Sequence, residues 1–82
     1  FVVRTINRKD LIKEFKKKNI AHAIHYPILD HEQEYFQNGE VSYLSEDLTK
    51  SKKCNMQILT IPCHPFLQTK EVDTIINVLN NF

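Results

Sequence analysis

A single glycine, two cysteines, three prolines and no tryptophan stand among the 82 residues. One glycine is few for a complete enzyme, and the chain opens on Phe1-Val2-Val3-Arg4, inside a strand-like pattern and without an initiator methionine. Both features lead us to expect a piece of a longer polypeptide. Cys54 and Cys63 form neither a CxxC pair nor a framework of several bridges, so a disulfide scaffold is excluded. No signal peptide is visible, and no apolar run approaches the ~20 residues that span a bilayer. A cytoplasmic protein with no membrane partner is therefore expected. Charge of one sign is also missing. At a net +1, with no stripe of interleaved basic and aromatic residues, the chain gives no reason to expect nucleic acid. The densest basic run, Lys16-Lys17-Lys18, has a simpler use as the cationic end of a helix.

What is present describes one small soluble domain over residues 1–82. A chain of this size buries roughly 60–65% of its unfolded surface, which leaves a core with a thin stability margin. Phe1 to Thr5 is β-branched and apolar and predicts a strand. Asn7 and Asp10 have capping-box spacing ahead of a helix over about 8–18, whose Leu11, Ile12 and Phe15 share a face. Asn19 suits the left-handed residue that ends it. Ile20, His22 and Ile24 alternate with Ala21 and Ala23 as a second strand, which Pro27 closes. A short helix over 30–36, a turn at Asn38-Gly39 and a helix capped by Ser45 follow. Gln57 to Ile61 predicts the third strand, ended by the rigid Pro62-Cys63-His64-Pro65 turn. Thr69 then caps a last helix with Val72, Ile75, Ile76 and Leu79 at i, i+3, i+4, i+7. The order β-α-β-(α)-β-α predicts an α+β two-layer sandwich: a small three-stranded sheet with helices packed on one face.

The histidines and cysteines do not make a metal site. On a strand His22 and His25 point to opposite faces, Cys63 and His64 are adjacent, and His25 and His31 are one residue too far apart for a zinc pair. Neither cysteine has a base fixed beside it, so both are expected to be buried structural thiols. His22, between two isoleucines, is expected to be half-buried and hydrogen-bonded. The loop after the second strand is richer. His25, Tyr26, Asp30, His31 and Gln33 crowd around Pro27. By residue chemistry alone this is either a solvated polar turn or one half of a site.

Ile24-His25-Tyr26-Pro27 followed by His31 and Gln33 resembles the "IHYP…H-x-Q" segment of the DegT/DnrJ/EryC1/StrS family of pyridoxal-phosphate-dependent sugar aminotransferases. Leu59-Thr60-Ile61-Pro62-Cys63-His64-Pro65-Phe66-Leu67 resembles that family's "LSLPxHPxL" turn. The likeness spans nearly the whole chain but only the family's C-terminal small domain. It implies the aspartate-aminotransferase-like fold, in which the large domain of the same chain carries pyridoxal phosphate on a lysine. The cofactor moves an amino group, usually from glutamate, to a keto group of a nucleotide-linked sugar. The family's proteins are normally homodimers.

By the same resemblance His25 and Tyr26 are substrate-side residues, and His31 and Gln33 belong to the same pocket rim. No catalytic lysine is expected here, because every lysine falls on a solvent face or helix end. The fragment alone is then expected to be inactive and to hold no cofactor. A related pyridoxal-phosphate-dependent sugar dehydratase, with histidine replacing the lysine, and a non-catalytic interaction module are the alternatives.

Overall fold

The computed structural model describes residues 1–39 and 47–82. Two strands, β1 (Val2–Arg4) and β2 (Ile58–Thr60), pair antiparallel with Val2 opposite Thr60 and Arg4 opposite Ile58. The pairing extends past both ends, through Ile61 N–H to Phe1 C=O at 2.9 Å and Thr5 N–H to Gln57 C=O at 2.9 Å. Four helices complete the described fold: α1 (Arg8–Lys17), α2 (Glu34–Gln37), α3 (Thr49–Asn55) and α4 (Thr69–Asn81). A 3-10 turn, Asp30–Glu32, precedes α2.

Alternation along the strands decides which side is covered. Val3 and Leu59 are opposite each other and turn to the helices, as does Ile61. Leu59 and Ile61 join Leu11 and Phe15 of α1 and Ile75 and Val78 of α4 in the buried core. Leu11, Phe15 and Leu59 have no exposed surface. Val2, Arg4 and Thr60 are on the other side, outside the buried core, and among the described residues Val2 and Arg4 are exposed. The α+β organisation is thus the observed one, with α1 and α4 packed on the same face of the sheet.

The three-stranded sheet is not. Residues 20–24 contribute one bridge, Ala23 to Thr60, closed by Ala23 N–H to Thr60 C=O at 3.1 Å and Thr60 N–H to Ala23 C=O at 2.8 Å. The register explains why it stops there. The next bonded pair on one side would be Ala21 with Pro62, and Pro62 has no N–H to give. On the other side His25 would meet Ile58, whose carbonyl already accepts from Arg8 Nη1 at 3.2 Å. Ile20 is also committed elsewhere, its N–H to Phe15 C=O at 2.8 Å and its carbonyl to the His22 ring at 2.9 Å.

The helix ends follow the local chemistry with some reassignment. Asn19, at φ 54°, takes the left-handed conformation and ends α1 as expected. At the other end of α1, Asn7 occupies the cap position without a side-chain bond, and Asp10 turns instead to Lys13 at 3.2 Å. For α4 the cap is Gln68, one residue before the expected Thr69, because Glu71 reaches back to the Gln68 N–H at 2.7 Å. The buried stripe of α4 is centred on Ile75 and Val78, with Ile76 half-exposed. The expected helix over 30–36 divides into the 3-10 turn and α2. Gly39 has φ 81°, in keeping with the expected turn. The Ser45 cap expected for α3 lies outside the described residues.

Candidate functional site

The open side of the sheet and the loop that crosses it form the candidate site. Ala23 is fixed on Thr60 by two backbone bonds, and two residues later the His25 ring lies over the same strand, Nδ1 2.9 Å from Thr60 Oγ1. Because Thr60 is on the face away from the core, so is this imidazole. His22, with the opposite parity, turns to the covered face and meets the Phe15 ring edge-on at 5.9 Å, half-buried as expected. Tyr26 stands edge-on to His25, ring centroids 5.6 Å apart, and is 75% exposed. The peptide between these two residues is cis.

Three polar contacts hold the loop beyond. Asn55 Nδ2 donates to Pro27 C=O at 3.1 Å, Gln33 Nε2 reaches Ile28 C=O at 3.5 Å, and Gln37 Nε2 donates to His31 C=O at 2.7 Å. Asn55 is itself anchored, since its carbonyl at the end of α3 accepts from Arg8 Nη1 at 2.6 Å. The structure therefore brings His25 and Tyr26 together as an exposed pair. Gln33 is turned to the loop's own backbone, and His31 lies half-buried in the 3-10 turn.

Thr60 and Asn55 were not singled out as site residues by the sequence reading. The alternation of β2 puts the Thr60 hydroxyl on the open face, but nothing in the sequence pairs position 25 with position 60. Beside Thr60 a shallow, mainly apolar groove is lined by Ala21, Ala23, Thr60, Pro62 and His64. It offers apolar surface with hydrogen-bonding groups at its edge. The thiols depart from expectation: Cys63 is exposed and Cys54 half-buried, so Cys63 is not a buried structural residue. Pro62, Cys63 and His64 form an irregular turn whose side chains leave the core after Ile61. Among the described residues no group of three or more histidine, cysteine or acidic side chains could hold a metal ion.

The chain is thus a small α+β domain that carries an exposed, braced histidine–tyrosine pair on one sheet face. The chain belongs to the DegT/DnrJ/EryC1/StrS aminotransferase family, whose model matches residues 1–80. It is similar to the dTDP-3-amino-3,6-dideoxy-alpha-D-galactopyranose transaminase of Aneurinibacillus thermoaerophilus, with 26% identity over 82 residues. The alignment covers the whole chain but only 22% of that relative.

The family is in general pyridoxal-phosphate-dependent. The residues of this chain do not fit that cofactor. All nine lysines lie among the described residues and are exposed, whereas a lysine that carries the cofactor needs a desolvated setting. No helix among the described residues is long and apolar enough to cross a membrane.

Proposed function

We propose that this chain is the substrate-capping C-terminal domain of a pyridoxal-phosphate-dependent aminotransferase acting on a keto group of a nucleotide-linked sugar. Glutamate is the amino donor in this reading, and the working unit is a homodimer in which a large domain of the same polypeptide supplies the cofactor lysine. The family match over residues 1–80 and the nucleotide-sugar transaminase among its relatives support the reaction class. The observation that carries the domain's role is the His25–Tyr26 pair, exposed on the sheet face away from the core and braced from behind. Such a pair can hydrogen-bond sugar hydroxyls or phosphate oxygens without taking part in the bond-making step. His31 and Gln33 fit the rim, where Gln33 acts by holding the loop backbone.

The test is His25→Ala in the full-length protein. A lost hydrogen bond to a charged ligand is worth about 1.5–3 kcal/mol, so KM for the sugar nucleotide should rise roughly 10- to 100-fold. The cofactor's absorbance should stay as in the wild type. Unchanged KM and kcat would sink the proposal.

A further inference from the structure

We propose that Thr60 is a positioning residue for the site. Its hydroxyl donates to His25 Nδ1 and so fixes His25 in the tautomer that carries its proton on Nε2, turned outward to a ligand oxygen. The inference rests on the reading that His25 faces the substrate and adds how it is made ready to do so.

The geometry begins with the 2.9 Å contact between Nδ1 and Oγ1. A hydroxyl has one hydrogen to give, and a neutral imidazole has one acceptor nitrogen. When the hydroxyl gives its hydrogen to Nδ1, the ring proton must be on Nε2. The exposed position of His25 leaves Nε2 available to a ligand. A nucleotide-linked sugar presents phosphate and hydroxyl oxygens, so a fixed N–H donor matches it better than a ring free to exchange tautomers.

Thr60 is well placed to impose this choice. Its backbone is held on one side by the ladder to β1 and on the other by the pair of hydrogen bonds with Ala23, at 3.1 and 2.8 Å. Branching at Cβ limits its χ1, so the position of the hydroxyl oxygen, though not of its hydrogen, follows from the strand. The ring it addresses is tethered from both ends of the loop, through Ala23 before it and through Asn55 to Pro27 C=O after it. An isosteric residue without a hydroxyl would keep all of these backbone contacts and lose only the instruction to the ring.

That separation defines the experiment, made in the full-length protein. Histidine labelled with nitrogen-15 reports the tautomer, with His25 assigned by its loss in His25→Gln. The wild type should show a protonated Nε2 and an unprotonated Nδ1. Thr60→Val should show averaged shifts of a tautomer mixture, and Thr60→Ser should restore the wild-type pattern. In kinetics, Thr60→Val should raise KM for the sugar nucleotide about 5- to 10-fold with kcat changed less than about 2-fold, as loss of one positioning hydrogen bond implies. Thr60→Ser should recover it. In a His25→Gln background Thr60→Val should add less than about 2-fold, because coupled residues are not additive.

The proposal is overturned if Thr60→Val leaves the nitrogen shifts unchanged, if serine fails where valine fails, or if the KM rise persists without His25. The nitrogen shifts test the pair itself. A wild-type KM in His25→Gln overturns the reading of the site on which the pair's purpose rests, so the two failures are told apart.

Discussion

Arg8 does more than its place at the start of α1 suggests. One guanidinium nitrogen spans to Asn55 C=O at 2.6 Å and Ile58 C=O at 3.2 Å. It thereby satisfies a carbonyl at the end of α3, where a cation also complements the helix dipole. It also occupies the strand edge where His25 would otherwise pair, and Asn55 in turn holds Pro27. Arg8→Met keeps much of the aliphatic volume but removes the donors. Hydrogen bonds from charged groups are worth about 1.5–3 kcal/mol, and this arginine is only half-buried, so we expect a loss near the lower end. Urea denaturation should show a lower midpoint with an unchanged slope, and a midpoint equal to the wild type would refute the role. None of this was legible in the sequence. A contact 47 residues apart leaves no periodic trace, and neither does the His25–Thr60 contact. His22 was readable because its environment is set by its immediate neighbours. Cys63 was misjudged because burial depends on where the chain turns after Ile61.

At the scale of elements, local rules served where local interactions decide. α1 ends at a left-handed Asn19 and α4 has an amphipathic stripe, both visible in short windows. The second strand failed for a non-local reason, since its lack of partners depends on Pro62 and Arg8 lying across from it. α3 shows how a short helix with little apolar face is held at its start. Asp47 Oδ1 accepts from Thr49 N–H at 3.0 Å and from the Thr49 hydroxyl. These bonds to Thr49, the side-chain one foremost, hold the Asp47 carboxyl below its ordinary value of 3.8. A carboxyl whose pKa is lower in the folded state contributes stability that is present above its unfolded pKa. That contribution is lost as pH falls through the lowered folded value. The α3 amides should therefore lose hydrogen-exchange protection as the solution is acidified below about pH 4. Asp47→Asn, whose amide oxygen can accept the same two bonds, should retain the helix and abolish that pH response. A response that survives in the asparagine variant would assign it to another group.

The whole molecule is long for its mass. Its radius of gyration is 16.2 Å and its extents are 49 × 25 × 18 Å, against about 12 Å expected for a compact chain of 82 residues. The cause lies in where the core residues fall. Among the described residues, every buried or core-packed apolar side chain comes from residues 3–24 or 59–79. Among the described residues, those from 25 to 57 supply none, and Tyr26, Ile28, Tyr35 and Met56 in that span are more than half exposed. The described part of that span is an arm carried on a small body, with Asn55, Gln33 and Gln37 fastening its turns by polar contacts. Sequence periodicity hinted at this: the amphipathic patterns lie at the two ends of the chain and fade across residues 28–43. Opening free energy follows buried apolar contact, so the two regions should separate by hydrogen exchange. Amides of α1, β2 and α4 should exchange only through global unfolding. Those of the 3-10 turn and α2 should exchange at least about 100-fold faster, a difference of roughly 2.7 kcal/mol in opening free energy. Leu59→Ala makes the comparison sharper. It removes a fully buried side chain from the centre of the body, a loss of about 2–5 kcal/mol. Exchange of the body amides should speed up by that full amount, while the arm, which already opens locally, should barely change. Equal protection of arm and body in the wild-type chain, or equal acceleration in the variant, would mean that the arm shares the body's cooperative unit and that its polar tethers are stronger than burial indicates.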